Sequence, residues 1–251
     1  MQNSDKPLVS VLVITEGRPE FMPWVAWQFN RLTWPRKELV VVASREDIES
    51  ANLIRELVPP SDLILDTTMP AGASLGAKRN VAKAHARGEW LTWADDDDWC
   101  PADRIEKVWG IRRLYPERDM SKVTMIALMS HVPLLSLYNM RCQDRIRKWA
   151  WTSCLYEAEM AKSIPFLKMN TTEDGFWLDR FETLNLKASG QDYLIEAAIP
   201  NQIMCLHHGR NISVGRRNID AKYWPMDFPD WLGGESVIQI EALRARLGLD
   251  Q

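Results

Sequence analysis

Long hydrophobic runs are missing from this chain. No segment approaches the roughly 20 consecutive apolar residues that span a bilayer. The opening MQNSDKPLVS lacks the basic segment and apolar core of a secretory signal, so a soluble, cytoplasmic protein is the expectation. Cysteine is scarce: the four residues Cys100, Cys142, Cys154 and Cys205 lie far apart and form no CxxC pair. Reduced thiols are the simplest reading. An excess of positive charge is also absent. A formal net charge of −3 excludes a global basic field of the kind nucleic-acid binders carry, although a local patch is still allowed. There is no internal repeat, low-complexity tract or clear linker. What remains is 251 residues with 46% hydrophobic and 26% charged content, enough for one substantial core or a core plus a lobe. The twelve tryptophans exceed what a core needs, so some are candidate platforms for a ring-shaped ligand, with core packing the simpler role for most.

Residues 1–115 alternate strand-like and helix-like segments. Leu8 to Thr15 is a near-continuous apolar run, as expected of a parallel strand covered on both faces. Phe21, Trp24, Val25 and Leu32 recur at helical spacing. Glu38 to Ala43 reads as a second strand and Asp47 to Val58 as a second helix, stopped by Pro59-Pro60. Asp62 to Asp66 is a third strand. Ala73 to Arg87 is helical in composition, with Gly88 a candidate C′ glycine. Glu89 to Ala94 is the fourth strand, and Pro101 sits where a first-turn proline would open the next helix. This series predicts an α/β fold with a doubly wound, mostly parallel sheet and helices on both faces. Ligands of such sheets lie at the carboxyl ends of the strands, where Thr15, Ala43, Asp66 and the aspartates fall.

Residues 116–251 are less regular and read as a smaller C-terminal lobe of the same compact unit. Thr124 to Met140 suggests two strands broken near Pro133. Arg141 to Lys148 is a basic stretch that reads as a solvated face. Asp174 to Leu184 looks helical, Tyr193 to Ile199 and Gln202 to Leu206 look like strands, and Glu235 to Leu247 is an amphipathic helix.

Chemistry concentrates in "LTWADDDDWC", residues 91–100. Like charges about 4 Å apart repel by about 1 kcal/mol in water and about 4 at an effective dielectric of 20. If residues 95–97 continue extended, Asp95 and Asp97 point to one side and Asp96 to the other. Two carboxylates at a strand end suit a hard divalent cation or the hydroxyls and phosphates of a ligand. The alternative is an acidic cap for the following helix, but capping needs one or two acids, not four.

"PLVSVLVITEGRPEFMPWVAWQFNRLTWPRKELVVV" and "GASLGAKRNVAKAHARGEWLTWADDDDWCPADRIEK" together resemble the nucleotide-binding half of the family 2 glycosyltransferases of GT-A fold. The ordered elements are a strand ending in Thr15, then Arg18-Pro19-Glu20, a Leu-x-x-x-Arg-Asn segment and Asp-x-Asp-Asp-Trp-x-Pro. The resemblance implies that Asp95 faces the donor nucleotide, Asp97 binds a Mn²⁺ or Mg²⁺ ion on the diphosphate, and Asp96 makes a second contact. It implies donor-binding roles for Thr15, Arg18 and Arg79. Lys78 and Arg79, opening a helix after Gly72 and Gly76, could meet a diphosphate together with that helix's N-terminus; the alternative is a surface helix with solvated cations.

"TTEDGFWLDRF", residues 171–181, is similar to the Thr-Glu-Asp element that supplies the family's base, which implies that Asp174 deprotonates the acceptor. Taken alone, Glu173-Asp174 is an ordinary helix start. "LHHGRNISVGRR", residues 206–217, resembles the family's late His-Gly-x-Asn-x-Ser segment. It implies that His208, or its neighbour His207, completes the metal site beside Asp97; the alternative is a histidine pair with no ligand role. Arg210, Arg216 and Arg217 are candidates to close over the diphosphate.

Two departures alter the donor pocket. The aspartate that commonly ends the second strand is replaced by Ala43, with Asp47 or Glu46 as candidate substitutes. The aromatic-Asn pair common after the first strand is Glu16-Gly17 here.

The expected function is metal-dependent, inverting transfer from a nucleoside diphosphate sugar, a UDP-sugar first, to a saccharide or glycolipid hydroxyl. A hydroxymethylated DNA base is the alternative acceptor, given Arg141, Arg145, Arg147, Lys148 and the tryptophans. A nucleotidyltransferase and a non-catalytic sugar-nucleotide binding module are the rivals from other classes.

Overall fold

The computed structural model describes residues 6–129, 134–137, 141–143, 151–198, 204–208 and 232–249. Its first half follows the expected alternation: β1 (Val9–Ile14), α1 (Met22–Asn30), β2 (Lys37–Ser44), α2 (Ile48–Leu57), β3 (Leu63–Met69), α3 (Leu75–His85) and β4 (Trp90–Trp93). β1 lies parallel to both β2 and β4, and β2 parallel to β3. Every residue of β1 is buried, because helices cover both sides of the sheet. Val9, Val11 and Val13 join Leu39 and Val41 on one face, against Trp24, Val25 and Phe29 of α1 and Ile54 of α2. Leu12, Ile14, Val40 and Val42 point the other way, onto Ala82 of α3. The strand's two-residue period thus serves two cores at once.

The rest of the chain extends this sheet and adds a small one. It contributes β5 (Asp98–Trp99), α4 (Arg104–Gly110), β6 (Met125–Met129), β7 (Leu134–Ser136), β8 (Arg141–Gln143), β9 (Cys154–Glu157), α5 (Ala158–Ser163), α6 (Glu173–Ser189), β10 (Leu194–Ala198), β11 (Met204–His207) and α7 (Gly234–Arg246). The large sheet runs β10-β6-β9-β4-β1-β2-β3, and the small one β5-β11-β7-β8. β9 is antiparallel to its neighbours β4 and β6, whereas β6 and β10 are parallel. The α/β, mostly parallel expectation holds. α4 and α7 pack on the face of α1, and α5 and α6 on the face of α3. No helix among the described residues is long and apolar enough to cross a membrane.

Several local expectations are corrected. β9 and α5 were not anticipated, because four residues carry too little periodicity to signal a strand. Residues 141–143 of the basic stretch form β8; residues 144–148 lie outside the described set. The helix after Pro101 starts three residues late, at Arg104, whose N–H donates to the Pro101 carbonyl at 3.1 Å. Gly88 is not a left-handed cap: it is absent from the glycines with positive φ, and its backbone is pressed against Ser10, whose Oγ lies 2.6 Å from where a Cβ would sit. The Gly88 N–H also donates to that hydroxyl at 2.9 Å. One expectation stands: the tryptophans Trp24, Trp34, Trp90, Trp93, Trp99, Trp109 and Trp177 are all buried, in keeping with core packing as the role of most.

Candidate active site

β4 ends at Trp93, and the aspartates do not continue it. Asp98 N–H donates to the Asp95 carbonyl at 3.3 Å, so residues 95–98 fold into a turn, and the expected alternation of Asp95 and Asp97 against Asp96 fails. The turn brings Asp96 and Asp97 to one cation: Nη1 of Arg18 lies 2.5 Å from Asp96 Oδ1 and 3.2 Å from Asp97 Oδ2. Thr15 Oγ1 donates to the other oxygen of Asp96 at 2.9 Å. The Asp98 carbonyl accepts from Trp24 Nε1 at 3.1 Å and Gln28 Nε2 at 2.8 Å, which pins the turn to α1. Like-charge crowding is therefore relieved by an arginine, a hydroxyl and the fold itself.

Arg18 is aimed by the loop after β1. Gly17 has φ +59°, a conformation glycine adopts without steric cost, and its N–H donates to Asp47 Oδ2 at 2.7 Å. The other oxygen of Asp47 accepts from Ser50 N–H at 3.3 Å and caps α2. The departure Glu16-Gly17 thus has its own role. Glu16 accepts from Gly72 N–H at 2.6 Å and from Lys78 Nζ at 2.8 Å, and Lys78 also donates to the Thr15 carbonyl at 3.1 Å.

At α3, where a phosphate cradle was expected, the groups already have protein partners. Its N-terminal N–H groups already have partners: Leu75 donates to Asn170 Oδ1 at 2.9 Å, Gly76 to the Met169 carbonyl at 3.1 Å, and Ala77 to Ser74 Oγ at 3.3 Å. Lys78 is fully buried on Glu16. Arg79 is buried too, with Nη2 3.6 Å from Asp95 Oδ1 and Nε 3.1 Å from Glu173 Oε1, its guanidinium 5.1 Å from the Trp93 ring centre. These cations hold carboxylates in place and do not line an open cradle.

His208 follows β11, which pairs antiparallel with β5 directly after the aspartate turn. Its Nε2 lies 3.0 Å from Asp97 Oδ2, and its ring packs 4.8 Å from that of Phe21. Asp174 is the second residue of α6 and is close enough to Asp95 to act on its charge. The side chain of His207 and the residues Arg210, Arg216, Arg217, Arg145, Arg147 and Lys148 lie outside the described set.

Burial sets the electrostatics of the turn. It pushes Asp95 up to about 6, opposed by Arg79 and reinforced by Asp97 and Asp174. It pushes Asp96 up to about 7, opposed by Arg18 and Thr15. At Asp97 burial acts in the same direction, but the His208 hydrogen bond and the Arg18 charge outweigh it and hold this carboxylate below its ordinary value. Asp97 is the acid of the turn kept ionised by two partners, as a metal ligand must be.

Thr15, Arg18, Asp95, Asp96, Asp97 and His208, joined by Arg79 and Glu173, form one connected cluster. Glu16, Phe21 and Glu173 belong to it without having been singled out. Only the Glu16-Gly17 departure gave a signal for the first.

A seven-stranded, mostly parallel sheet with an acidic turn at the end of a central strand defines an α/β protein of GT-A type. Residues 10–111 match the family model described as Glycosyl transferase family 2. No curated protein matches. Among solved structures, S. aureus TarS 1–349 in complex with UDP-GlcNAc is similar at 13% identity and TM-score 0.58, over 84% of this chain and 62% of that one. Mannosyltransferase PcManGT from Pyrobaculum calidifontis, in complex with GDP-Man and Mn²⁺, is similar at 14% identity and TM-score 0.54, over 98% and 74%. Glucosyl-3-phosphoglycerate synthase from Mycobacterium tuberculosis, in complex with Mn²⁺, UDP and glucosyl-3-phosphoglycerate, is similar at 13% identity and TM-score 0.51, over 99% and 83%. At these identities the likeness establishes the fold. The chain spans 60% of the TarS 1–349 structure and 37% of the longer TarS structure.

Proposed function

We propose that this protein is a metal-dependent, inverting glycosyltransferase that moves a sugar from a nucleoside diphosphate sugar to an acceptor hydroxyl. The observation that carries the reading is the meeting of Asp97 and His208, 111 residues apart in sequence and 3.0 Å apart in space, on the same acidic turn that Asp174 influences. A carboxylate oxygen and an imidazole nitrogen side by side are donors that suit Mn²⁺, and Mg²⁺ less well. Among the described residues no group of three or more His, Cys, Asp or Glu side chains is arranged to hold a metal. Asp97 and His208 would therefore hold the ion jointly with the donor's phosphates. When bound, such an ion acts as a Lewis acid that stabilises charge on the departing diphosphate.

The chain's own residues account for the remaining steps. Asp95 faces the donor from the end of β4, and Arg79 fixes its carboxylate. Thr15 and Arg18 hold Asp96 as the floor of the donor site, and Asp47 fixes the loop that carries them. Asp174 accepts the acceptor's proton as that oxygen attacks the anomeric carbon and the bond to the diphosphate breaks, its electron pair leaving with the nucleoside diphosphate. General-base assistance of this kind contributes typically ~10²–10⁴-fold. A single displacement inverts the anomeric configuration. The TarS and synthase complexes hold uridine nucleotides, which supports a UDP-sugar donor, and PcManGT with GDP-Man makes GDP-mannose the control; the proposed acceptor is a saccharide or glycolipid hydroxyl.

The test is a mutant pair assayed against a panel of nucleotide sugars. Asp97→Ala should abolish Mn²⁺-dependent donor binding. Asp174→Asn should bind donor normally and lose at least about 10²-fold in turnover. Equal loss of donor binding in both variants would refute the division of roles.

A further inference from the structure

The first turn of α6 is built unusually. Thr172, at its N-cap, has φ +61° and makes no side-chain cap hydrogen bond. It is the one non-glycine residue with positive φ among the described residues, a conformation that costs of order 1–3 kcal/mol and persists only where its surroundings enforce it. The next residue, Glu173, is one of five buried acids among the described residues.

An acid at a helix N-terminus is ordinarily exposed and answers the helix dipole from its own turn. Glu173 instead reaches across 94 residues of sequence to Arg79 Nε at 3.1 Å. Side-chain exposure is 7% for Arg79 and 4% for Glu173, so the pair is nearly dry. The same guanidinium extends Nη2 toward Asp95 and rests on Trp93 of β4. One arginine thus joins the strand that presents the acidic turn to the helix that presents Asp174. The residues flanking Arg79 on α3 clasp the segment that feeds α6. Asn80 donates to the Phe166 carbonyl at 3.0 Å and accepts the Phe166 N–H at 2.8 Å. Lys83 donates to the Ala161 carbonyl at 2.8 Å and to that of Ile164. α3 is the common mount, and Glu173 is where the mount reaches α6 itself.

We infer that Glu173 is a positioning residue that sets where Asp174 stands relative to the donor, acting through Arg79. The inference rests on Asp174 being the base. The left-handed Thr172 opens the turn in which residue 173 meets Arg79 and residue 174 stands next to it, near enough to Asp95 to act on its charge. Holding a base to within ordinary hydrogen-bond reach matters because a misplacement of about 1 Å costs about 10²-fold in rate.

The experiment compares Glu173→Gln, which keeps size and removes charge, with Asp174→Asn and the double variant. Single-turnover rates, Mn²⁺-dependent UDP-sugar binding and amide exchange over residues 172–178 are measured on the full chain. Glu173→Gln should bind donor within about threefold of the parent, slow turnover by roughly 10- to 100-fold, and speed exchange in the first turn of α6. The double variant should be no slower than Asp174→Asn alone, because a residue acting through Asp174 has nothing left to position. Unchanged exchange at residues 172–178, or multiplicative losses in the double variant, would overturn the positioning role. Full turnover in Asp174→Asn would instead overturn the base assignment, and the exchange result would still decide whether Glu173 holds the helix.

Discussion

Replacing Arg18 with methionine removes the cation that Asp96 and Asp97 share. Its contact with Asp97 at 3.2 Å corresponds to about 5 kcal/mol of attraction at an effective dielectric of 20, and the contact with Asp96 is shorter. Burial costs offset much of this in the intact cluster, so the useful quantity is the penalty for leaving buried carboxylates without their partner, about 3–5 kcal/mol. Arg18 has a side-chain exposure of 18%, and solvent screening favours the lower end, about 3 kcal/mol. For a chain of this size each kcal/mol shifts Tm by about 2–4 °C, giving a fall of roughly 6–12 °C. The assay is thermal unfolding of parent and variant at pH 7.5, in chelator and in millimolar Mn²⁺. The ion should raise the variant's Tm by more than the parent's, because in the parent it must displace a resident guanidinium before reaching Asp97. Arg18→Lys should fall between them, since an ammonium lacks the planar fork. A variant melting within 2 °C of the parent in chelator, where ~6 °C or more is expected, would refute the argument, as would equal Mn²⁺ shifts in both proteins.

Two further predictions concern α3. A Cβ on Gly76 would lie 1.8 Å from the Leu167 carbonyl oxygen. Gly76→Ala should therefore destabilise by about 1–3 kcal/mol in urea titrations, where an open helical site would gain about 0.5–1 kcal/mol; a stabilised variant would contradict the clasp. Lys83 is pushed down to about 7 by burial, with Arg180 adding to the effect, while the unfolded chain keeps its proton to about 10.4. Above pH 7 the unfolded state binds more protons, so stability should rise with pH by up to about 1.4 kcal/mol per unit, and Lys83→Met should flatten that rise. Equal pH slopes from urea curves at pH 7, 8 and 9 would show that Lys83 is not responsible.

The parts legible in sequence were those with a local signature. β1 and β2 announce themselves by unbroken apolar runs, because a doubly covered strand has no polar side. The acidic turn, Asp174 and His208 stood out through short motifs. Contacts spanning long stretches of sequence were not legible. Nothing near Glu16 points to Lys78, and nothing near Glu173 points to Arg79, since an ion pair across 94 residues leaves no periodicity behind. The same limit applies to Lys78 and Arg79: cations near glycines at a helix start suggest an anion from outside, and the anions they meet in the structure are Glu16, Asp95 and Glu173. The extended reading of residues 95–97 failed because four identical side chains carry no pattern that marks a turn.

Among the described residues the ladder between β5 and β11 has two rungs, Asp98 with Cys205 and Trp99 with Met204, and this seam joins the strand that leads to His208 to the acidic turn. A short seam is easily unzipped, whereas the aspartate turn follows directly on β4, whose four residues are all buried. Heat or a substitution near Cys205 should therefore part the His208 imidazole from Asp97 before the large sheet loses its shape.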